Sequence, residues 1–136
     1  MTVVVGYVPN EYGEVALEAG LVEARRRGQP LVVVNASRGD TLVDRKYLST
    51  DARADLERRL ADEGARVGVE TEVRQALVPD VAEEVVRVAH EVEASLLVIG
   101  MRRRTPVGKM LLGSAAQRIL LDAACPVLAV KPPEPA

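Results

Sequence analysis

The apolar positions of this chain fall in short runs, separated by longer stretches in which apolar residues recur at helical spacing. The runs Val3–Tyr7, Leu31–Val34, Leu96–Ile99 and Val127–Val130 are typical of strands that are covered on both faces of a sheet. Thr71–Leu77 alternates between apolar and polar residues, which suits a strand nearer the sheet edge. The pattern therefore predicts five strands.

The stretches between the strands predict four helices. The first spans about Glu11–Arg27 and ends at Gly28, and the second spans about Asp51–Gly64. Residues 37–49 form an irregular stretch that is long for a compact domain, as loops over binding sites often are. The expected core positions of these two helices are Val15, Leu17, Ala19, Leu21, Val22 and Ala24, followed by Ala52, Leu56 and Leu60.

The third and fourth predicted helices carry start signals. Asp80 follows Pro79, and Asp80 and Glu83 have the spacing of a capping box. Ser114 and Gln117 have the same spacing, which predicts that Ser114 caps the fourth helix. The expected core positions are Val81, Val85, Val88 and Val92 in the third helix and Ala116, Ile119, Leu120 and Ala123 in the fourth.

Strands that alternate with helices predict an α/β fold with right-handed crossovers and one parallel sheet, covered by helices on both faces. The chain of 136 residues has the size of a single domain. We expect this domain to occupy residues 1–131, with a disordered tail at residues 132–136. Periodicity alone leaves the strand order open.

Composition narrows the classes of function. The chain is 48% hydrophobic and 28% charged, with a formal net charge of −2, which argues against a general nucleic-acid binder. It has three tyrosines and no phenylalanine or tryptophan, so it lacks a row of aromatic platforms for bases. No apolar run is long enough to cross a membrane, and Met1–Gly6 does not resemble a secretory signal. We therefore expect a cytoplasmic protein.

The residue types give little support for catalysis or for a metal site. Cys125 is the single cysteine and His90 the single histidine, which leaves no zinc constellation and no internal disulfide. Cys125 precedes Pro126 at the entrance to a strand, which favours an inert packed thiol. His90 lies off the apolar face of its helix, which favours a solvated side chain. We predict no catalytic residue and expect that the chain is not an enzyme.

A phosphate-binding site is predicted between the fourth strand and the fourth helix. Gly100 ends the strand, and Gly113 and Ser114 open the helix. The unpaired amides and the positive dipole end of such a helix attract anions. The hydroxyl of Ser114 could donate to a phosphate as well as cap the helix. The connecting loop contains four cations, which are Arg102, Arg103, Arg104 and Lys109.

This stretch resembles the universal stress protein family. The family fingerprint is a glycine, two residues, a second glycine, nine residues and then Gly-Ser or Gly-Thr. Gly100, Arg103 and Gly113-Ser114 keep that spacing, with Arg103 in place of the second glycine. Gln117–Leu120 and Cys125–Val130 also resemble the end of the family, and the resemblance extends over almost the whole chain.

The resemblance implies an adenine nucleotide alpha hydrolase-like fold with strand order 3-2-1-4-5. The strand order would place a crevice between the loops that follow Tyr7 and Ile99. The resemblance also implies a role in stress response and a homodimer formed through the last strand, by Val127, Leu128, Ala129 and Val130. The implied nucleotide-binding residues are Gly6, Tyr7, Val8, Asn35, Ala36, Gly100, Met101, Arg102, Arg103, Gly113, Ser114 and Ala115.

Two positions depart from the family pattern. Val8 stands where nucleotide-binding members carry an aspartate that supports the nucleotide and its metal, and a valine binds no cation. Arg103 either offers its guanidinium to a phosphate or obstructs the crevice.

Two functions stay open. One is a regulatory module that binds ATP or AMP weakly, in a partly degenerate crevice without a strong metal site. The other is a nucleotide-independent homodimer whose crevice is empty or holds another anion.

Overall fold

The computed structural model describes residues 1–39, 49–101 and 113–133. Strands and helices alternate along the chain, as the apolar pattern predicts. In chain order, the elements are β1 Thr2–Gly6, α1 Glu11–Arg27, β2 Leu31–Ser37, α2 Thr50–Val67, β3 Thr71–Leu77, α3 Val81–Glu91, β4 Ala94–Gly100, α4 Ser114–Asp122 and β5 Val127–Val130.

The five strands form one parallel sheet in the order β3-β2-β1-β4-β5. The strand order that the family resemblance implies is therefore confirmed. At the carboxyl end of β1, Gly6 lies opposite Val34 of β2 on one side and opposite Ile99 of β4 on the other. The chain order reverses between β1 and β4, which makes their carboxyl ends the point where α/β sheets open a crevice.

Helices cover both faces of the sheet, and each face has its own apolar core. Alternate side chains of each strand point to opposite faces, so β1 sends Val3 and Val5 to one core and Val4 to the other. The first core lies under α1 and α2 and includes Leu17, Leu56 and Leu60. The second lies under α3 and α4 and includes Val85, Val88 and Ile119.

Side chains cap three of the four helices. Asn10 caps α1, Ser49 caps α2 and Asp80 caps α3, each by accepting backbone N–H groups of the first turn. The predicted cap at Asp80 is confirmed, since its Oδ1 accepts the N–H of Glu83 at 3.1 Å. The predicted cap at Ser114 is wrong.

The fourth helix begins one residue earlier than its sequence signal indicated. Gly113 occupies the cap position of α4, and Ser114 is already its first helical residue. The N–H of Gln117 donates to the carbonyl of Gly113 at 3.0 Å, as an ordinary helical bond. Gly113 has no side chain that could accept the N–H groups of the first turn, so the start of α4 has no side-chain cap.

Several local predictions differ from the structure. Val22 and Leu120, both expected in the core, are 45% and 42% exposed. In α1 the small residues Gly20 and Ala24 face the sheet instead of Val22, and α4 lies near the sheet margin, where only Ile119 is fully covered. The second strand continues to Ser37, three residues beyond the apolar run.

Other predictions fall partly on residues that the structure does not describe. Most of the irregular stretch at 37–49, namely residues 40–48, lies outside the described residues, and so do residues 134–136 of the expected tail. Pro132, also assigned to that tail, is buried. Among the described helices, none is long and apolar enough to cross a membrane.

Candidate functional site

A cavity of about 400 Å³ lies between the starts of α3 and α4, beside the residue that follows β2. Both helices begin at the carboxyl edge of the sheet, because each follows the end of a parallel strand. We call this space the carboxyl-edge cavity. Its lining residues are Arg38, Pro79, Asp80, Val81, Ala82, Ser114, Ala115 and Arg118.

The start of α4 gives this cavity a wall suited to an anion. Among the described residues, none lies within 4 Å of a β-carbon added at Gly113, and the first turn of α4 contains no acidic residue and no side-chain cap. Ser114 and Ala115 both line the cavity. Backbone N–H groups in the first turn of a helix lack helical acceptors, and the helix dipole adds positive charge there. This wall can therefore donate hydrogen bonds to phosphate oxygens.

An ion pair joins the two helix starts across the cavity wall. The Oδ2 of Asp80 accepts a hydrogen bond from Nη1 of Arg118, while its Oδ1 caps α3. The guanidinium of Arg118 and the N–H of Glu83 hold the pKa of Asp80 below its usual value. The same contact raises the pKa of Arg118. Asp80 is therefore ionised at neutral pH.

The predicted site residues divide between the two faces of the sheet. Gly6 and Ala36 face the side of α3 and α4, where the carboxyl-edge cavity lies. A carbon added to Gly6 would approach Val85 of α3 to 3.6 Å, and Ala36 belongs to the core under these helices. Tyr7 and Asn35 face the side of α1 and α2. The structure therefore separates the side chains of Tyr7 and Asn35 from the cavity.

The hydroxyl of Tyr7 belongs to a polar network between α1 and α2. It donates to Oε1 of Glu14 at 3.0 Å, and Glu14 also accepts two hydrogen bonds from Arg59. Burial and the neighbouring carboxylate raise the pKa of Tyr7 to about 12. Hydrogen bonding from Arg59 lowers the pKa of Glu14. These contacts connect two helices, and sequence spacing gave no sign of them.

The amide of Asn35 has a similar structural contact. Its Nδ2 donates to Oε1 of Gln75 at 3.3 Å, on the neighbouring strand. The Nε2 of Gln75 in turn donates to the carbonyl of Ser49, at 3.3 Å. Because Ser49 caps α2, this chain of hydrogen bonds ties the start of α2 to the sheet.

The loop after β1 packs against the first turn of α1. Val8 accepts a backbone hydrogen bond from Asn10 at 2.9 Å, and its backbone lies directly against Gly13. The side chain of Val8 is 39% exposed. The backbone of Val8 therefore packs against the first helix, while its side chain is partly open to solvent.

The loop after β4 begins with two backbone contacts. Gly100 lies under the carbonyl of Tyr12 in the first turn of α1. The N–H of Met101 donates to the carbonyl of Val130 at 2.7 Å, which extends the pairing with β5. The predicted site residues Arg102 and Arg103, and the neighbouring cations Arg104 and Lys109, lie outside the described residues.

A second cavity, of about 510 Å³, runs between α3 and the end of α4, and we call it the α3–α4 groove. His90 and Cys125 both line it. His90 is exposed, as its sequence position predicted. Burial raises the pKa of the Cys125 thiol, which keeps it protonated at neutral pH. In the described ranges, no three metal-ligating side chains come together.

Comparison with known sequences gives matches over nearly the full length. The model of the universal stress protein family matches residues 1–131. A universal stress protein from Mycolicibacterium smegmatis is 46% identical over 130 residues, covering 96% of this chain and 97% of that protein.

Solved structures show the same fold. A universal stress protein in complex with cAMP is 23% identical, covers 98% of each chain and superposes with a TM-score of 0.70. The universal stress protein from Archaeoglobus fulgidus in complex with dAMP is 24% identical, covers 96% of each chain and has a TM-score of 0.66.

Proposed function

Because this chain belongs to the universal stress protein family, we propose that it is a regulatory module that binds an adenine nucleotide in the carboxyl-edge cavity. The observation that carries the proposal is the uncapped start of α4, where Ser114 and Ala115 line a cavity of about 400 Å³. Related folds hold cAMP and dAMP, which gives adenine nucleotides priority among possible anions. A role in stress response follows the family, and a cytoplasmic location is part of the same proposal.

The lining of the cavity offers groups for both halves of such a ligand. The helix start at Ser114 and the guanidinium of Arg118 suit a phosphate, through charge-assisted hydrogen bonds. Val81 and Ala82 supply apolar surface for an adenine ring, and Ala36 lies on the same face of the sheet. Small apolar side chains leave room for the ring to pack.

The affinity in this proposal is weak and depends little on Mg²⁺. Mg²⁺ that bridges phosphates is held in proteins by one or two carboxylates. Val8, at the position of the family aspartate, supplies none. Among the described residues, Asp80 is the carboxylate that lines the cavity, and it already forms an ion pair with Arg118. Direct contacts to phosphate therefore have to supply the affinity.

A binding role suits these groups better than catalysis does. Ser114 is the hydroxyl in the described lining, and a serine nucleophile needs a neighbouring base. The nearby carboxylate of Asp80 has a lowered pKa, which makes it a poor proton acceptor at neutral pH. We therefore propose no catalytic residue.

A nucleotide-independent homodimer is the second candidate. β5 forms an edge of the sheet, and Leu128 at its centre is 36% exposed. An apolar strand at a sheet edge is an association surface, because its free backbone groups can pair with a second strand. A dimer formed through Val127–Val130 would cover this edge whether or not the cavity holds a ligand.

Mass spectrometry of the gently purified, desalted protein separates the two candidates. The nucleotide-binding proposal expects an adenine nucleotide to copurify, or to bind when added in a calorimetric titration. If neither AMP, ATP nor cAMP binds at millimolar concentration, the nucleotide site is rejected and the dimer stands as the function.

A further inference from the structure

We propose that Asp80 acts as a charge filter in the carboxyl-edge cavity, so that the cavity selects adenine ligands with one phosphate over those with three. Arg118 is the partner on which the filter depends. The inference rests on the proposed function, since it assigns the ligand class of the same cavity. Its physical basis is the ion pair between the starts of α3 and α4.

The geometry places opposite charges where the phosphate end of a ligand would lie. Arg118 donates to Oδ2 of Asp80, and both side chains line the cavity with Ser114. The side chains of Asp80 and Arg118 are 31% and 49% exposed, so a ligand from solvent can reach both. A phosphate that binds Arg118 has to compete with Asp80.

The cost of that competition grows with the charge of the ligand. Once a phosphate takes the guanidinium, the carboxylate of Asp80 faces the ligand without its partner. Like charges within several ångströms repel in proportion to the charge on each. One phosphate meets this repulsion once, while each further phosphate adds to it. Uncharged adenosine does not meet it.

Asp80 also caps α3, and one substitution separates the two roles. Asparagine caps helices about as well as aspartate. Asp80→Asn therefore keeps an oxygen for the N–H of Glu83 and removes only the charge. Asp55→Asn is the matched control, because Asp55 lies on the exposed surface of α2, pairs with Arg58 and changes net charge equally.

The test is calorimetric titration of each protein with adenosine, AMP, ADP and ATP, in buffer that contains EDTA. We expect Asp80→Asn to tighten ATP binding by roughly three- to tenfold, to tighten AMP binding less and to leave adenosine unchanged. Asp55→Asn should match the native protein for every ligand. Arg118→Gln should weaken the binding of ATP most and leave the affinity for adenosine unchanged.

The outcomes distinguish the filter from the proposed function. If the native protein binds these ligands but Asp80→Asn changes all four affinities equally, or none, the filter is wrong and the nucleotide site stands. If only Asp80→Asn binds ATP, the filter holds and excludes ATP from the native cavity. If neither protein binds any of the four ligands, both proposals fall.

Discussion

The carbonyl oxygen of Tyr12, in the first turn of α1, occupies the space that a side chain at Gly100 would need. The end of β4 and the start of α1 therefore touch backbone to backbone. Gly100 is one of the residues that the family resemblance assigns to nucleotide binding. In the structure, the absence of a side chain at Gly100 is required by this helix contact, on the face of the sheet opposite the carboxyl-edge cavity.

We predict that Gly100→Ala destabilises the protein by about 1–3 kcal/mol, because the added methyl group has to displace backbone. Urea unfolding monitored by circular dichroism measures this loss. Gly113→Ala, at the residue before α4, is the matched control, because an added carbon there meets none of the described residues within 4 Å. It should cost less than about 1 kcal/mol, the usual effect of alanine at a helix cap. Equal losses for the two variants would contradict this account of Gly100.

The Glu14–Arg59 pair predicts a stability that depends on acid pH. Arg59 lowers the pKa of Glu14 below its usual 4.5. A carboxyl with a lowered folded-state pKa contributes stability that is complete above the unfolded value and is lost as the pH falls through the folded value. Glu14→Gln should therefore cost about 0.5–1 kcal/mol at pH 7, since the pair is partly exposed.

The same substitution should lose its effect in acid. Unfolding curves between pH 7 and pH 2 should show the native protein and Glu14→Gln converging as the pH falls below about 4.5. Glu57→Gln removes an exposed pair with Arg53 on α2 and serves as the control for charge removal, with a cost of about 0.3–0.5 kcal/mol. A gap that stays constant across this pH range would show that Glu14 acts through packing rather than charge.

The fold was largely predictable because its strands are marked by composition. Leu31–Val34 and Leu96–Ile99 are apolar in every position, and all eight residues are buried. Parallel strands covered on both faces give this signal directly. The predictions of burial were wrong where a helix is covered by the sheet on one side only, as at Leu120 in α4 near the sheet margin. The prediction of a helix cap was wrong at Ser114, because the capping motif begins one residue inside the helix.

The site was less predictable because its contacts join distant parts of the chain. Asp80 and Arg118 are 38 residues apart, and Glu14 and Arg59 are 45 apart. No local spacing encodes such pairs. The alternation of a strand does explain why neighbouring residues such as Asn35 and Ala36 face opposite sides. Only the fold shows which side carries the cavity.

Val8→Asp tests the departure from the family pattern. We predict that the native protein binds ATP equally with and without Mg²⁺, and that Val8→Asp makes binding stronger when Mg²⁺ is present. Since the side chain of Val8 is 39% exposed, the new carboxylate would stay in contact with solvent. Combined with Arg103→Gly, the change should tighten ATP binding by roughly ten- to a hundredfold. Val22→Asp, on the exposed side of α1, is the control in calorimetric titrations. Tight, strictly metal-dependent binding by the native protein would contradict the prediction.

The edge strand β5 predicts a dimer in solution. Light scattering at micromolar concentration should give about twice the chain mass of 14.6 kDa. Leu128→Glu places a charge in the centre of the exposed edge and should shift the mass to that of one chain. Val22→Glu introduces the same charge on α1 and should leave the dimer intact. A native monomer, or equal effects of the two variants, would reject β5 as the interface.

The nucleotide site is tested most directly by amide chemical shifts of the isotope-labelled protein during titration with AMP. The account predicts saturable shifts at Ser114 and Ala115 in α4 and at Ala82 in α3, which line the carboxyl-edge cavity. His90 and Cys125 in the α3–α4 groove should stay unchanged. An absence of saturable shifts up to millimolar AMP, or shifts concentrated at His90 and Cys125, would contradict the account.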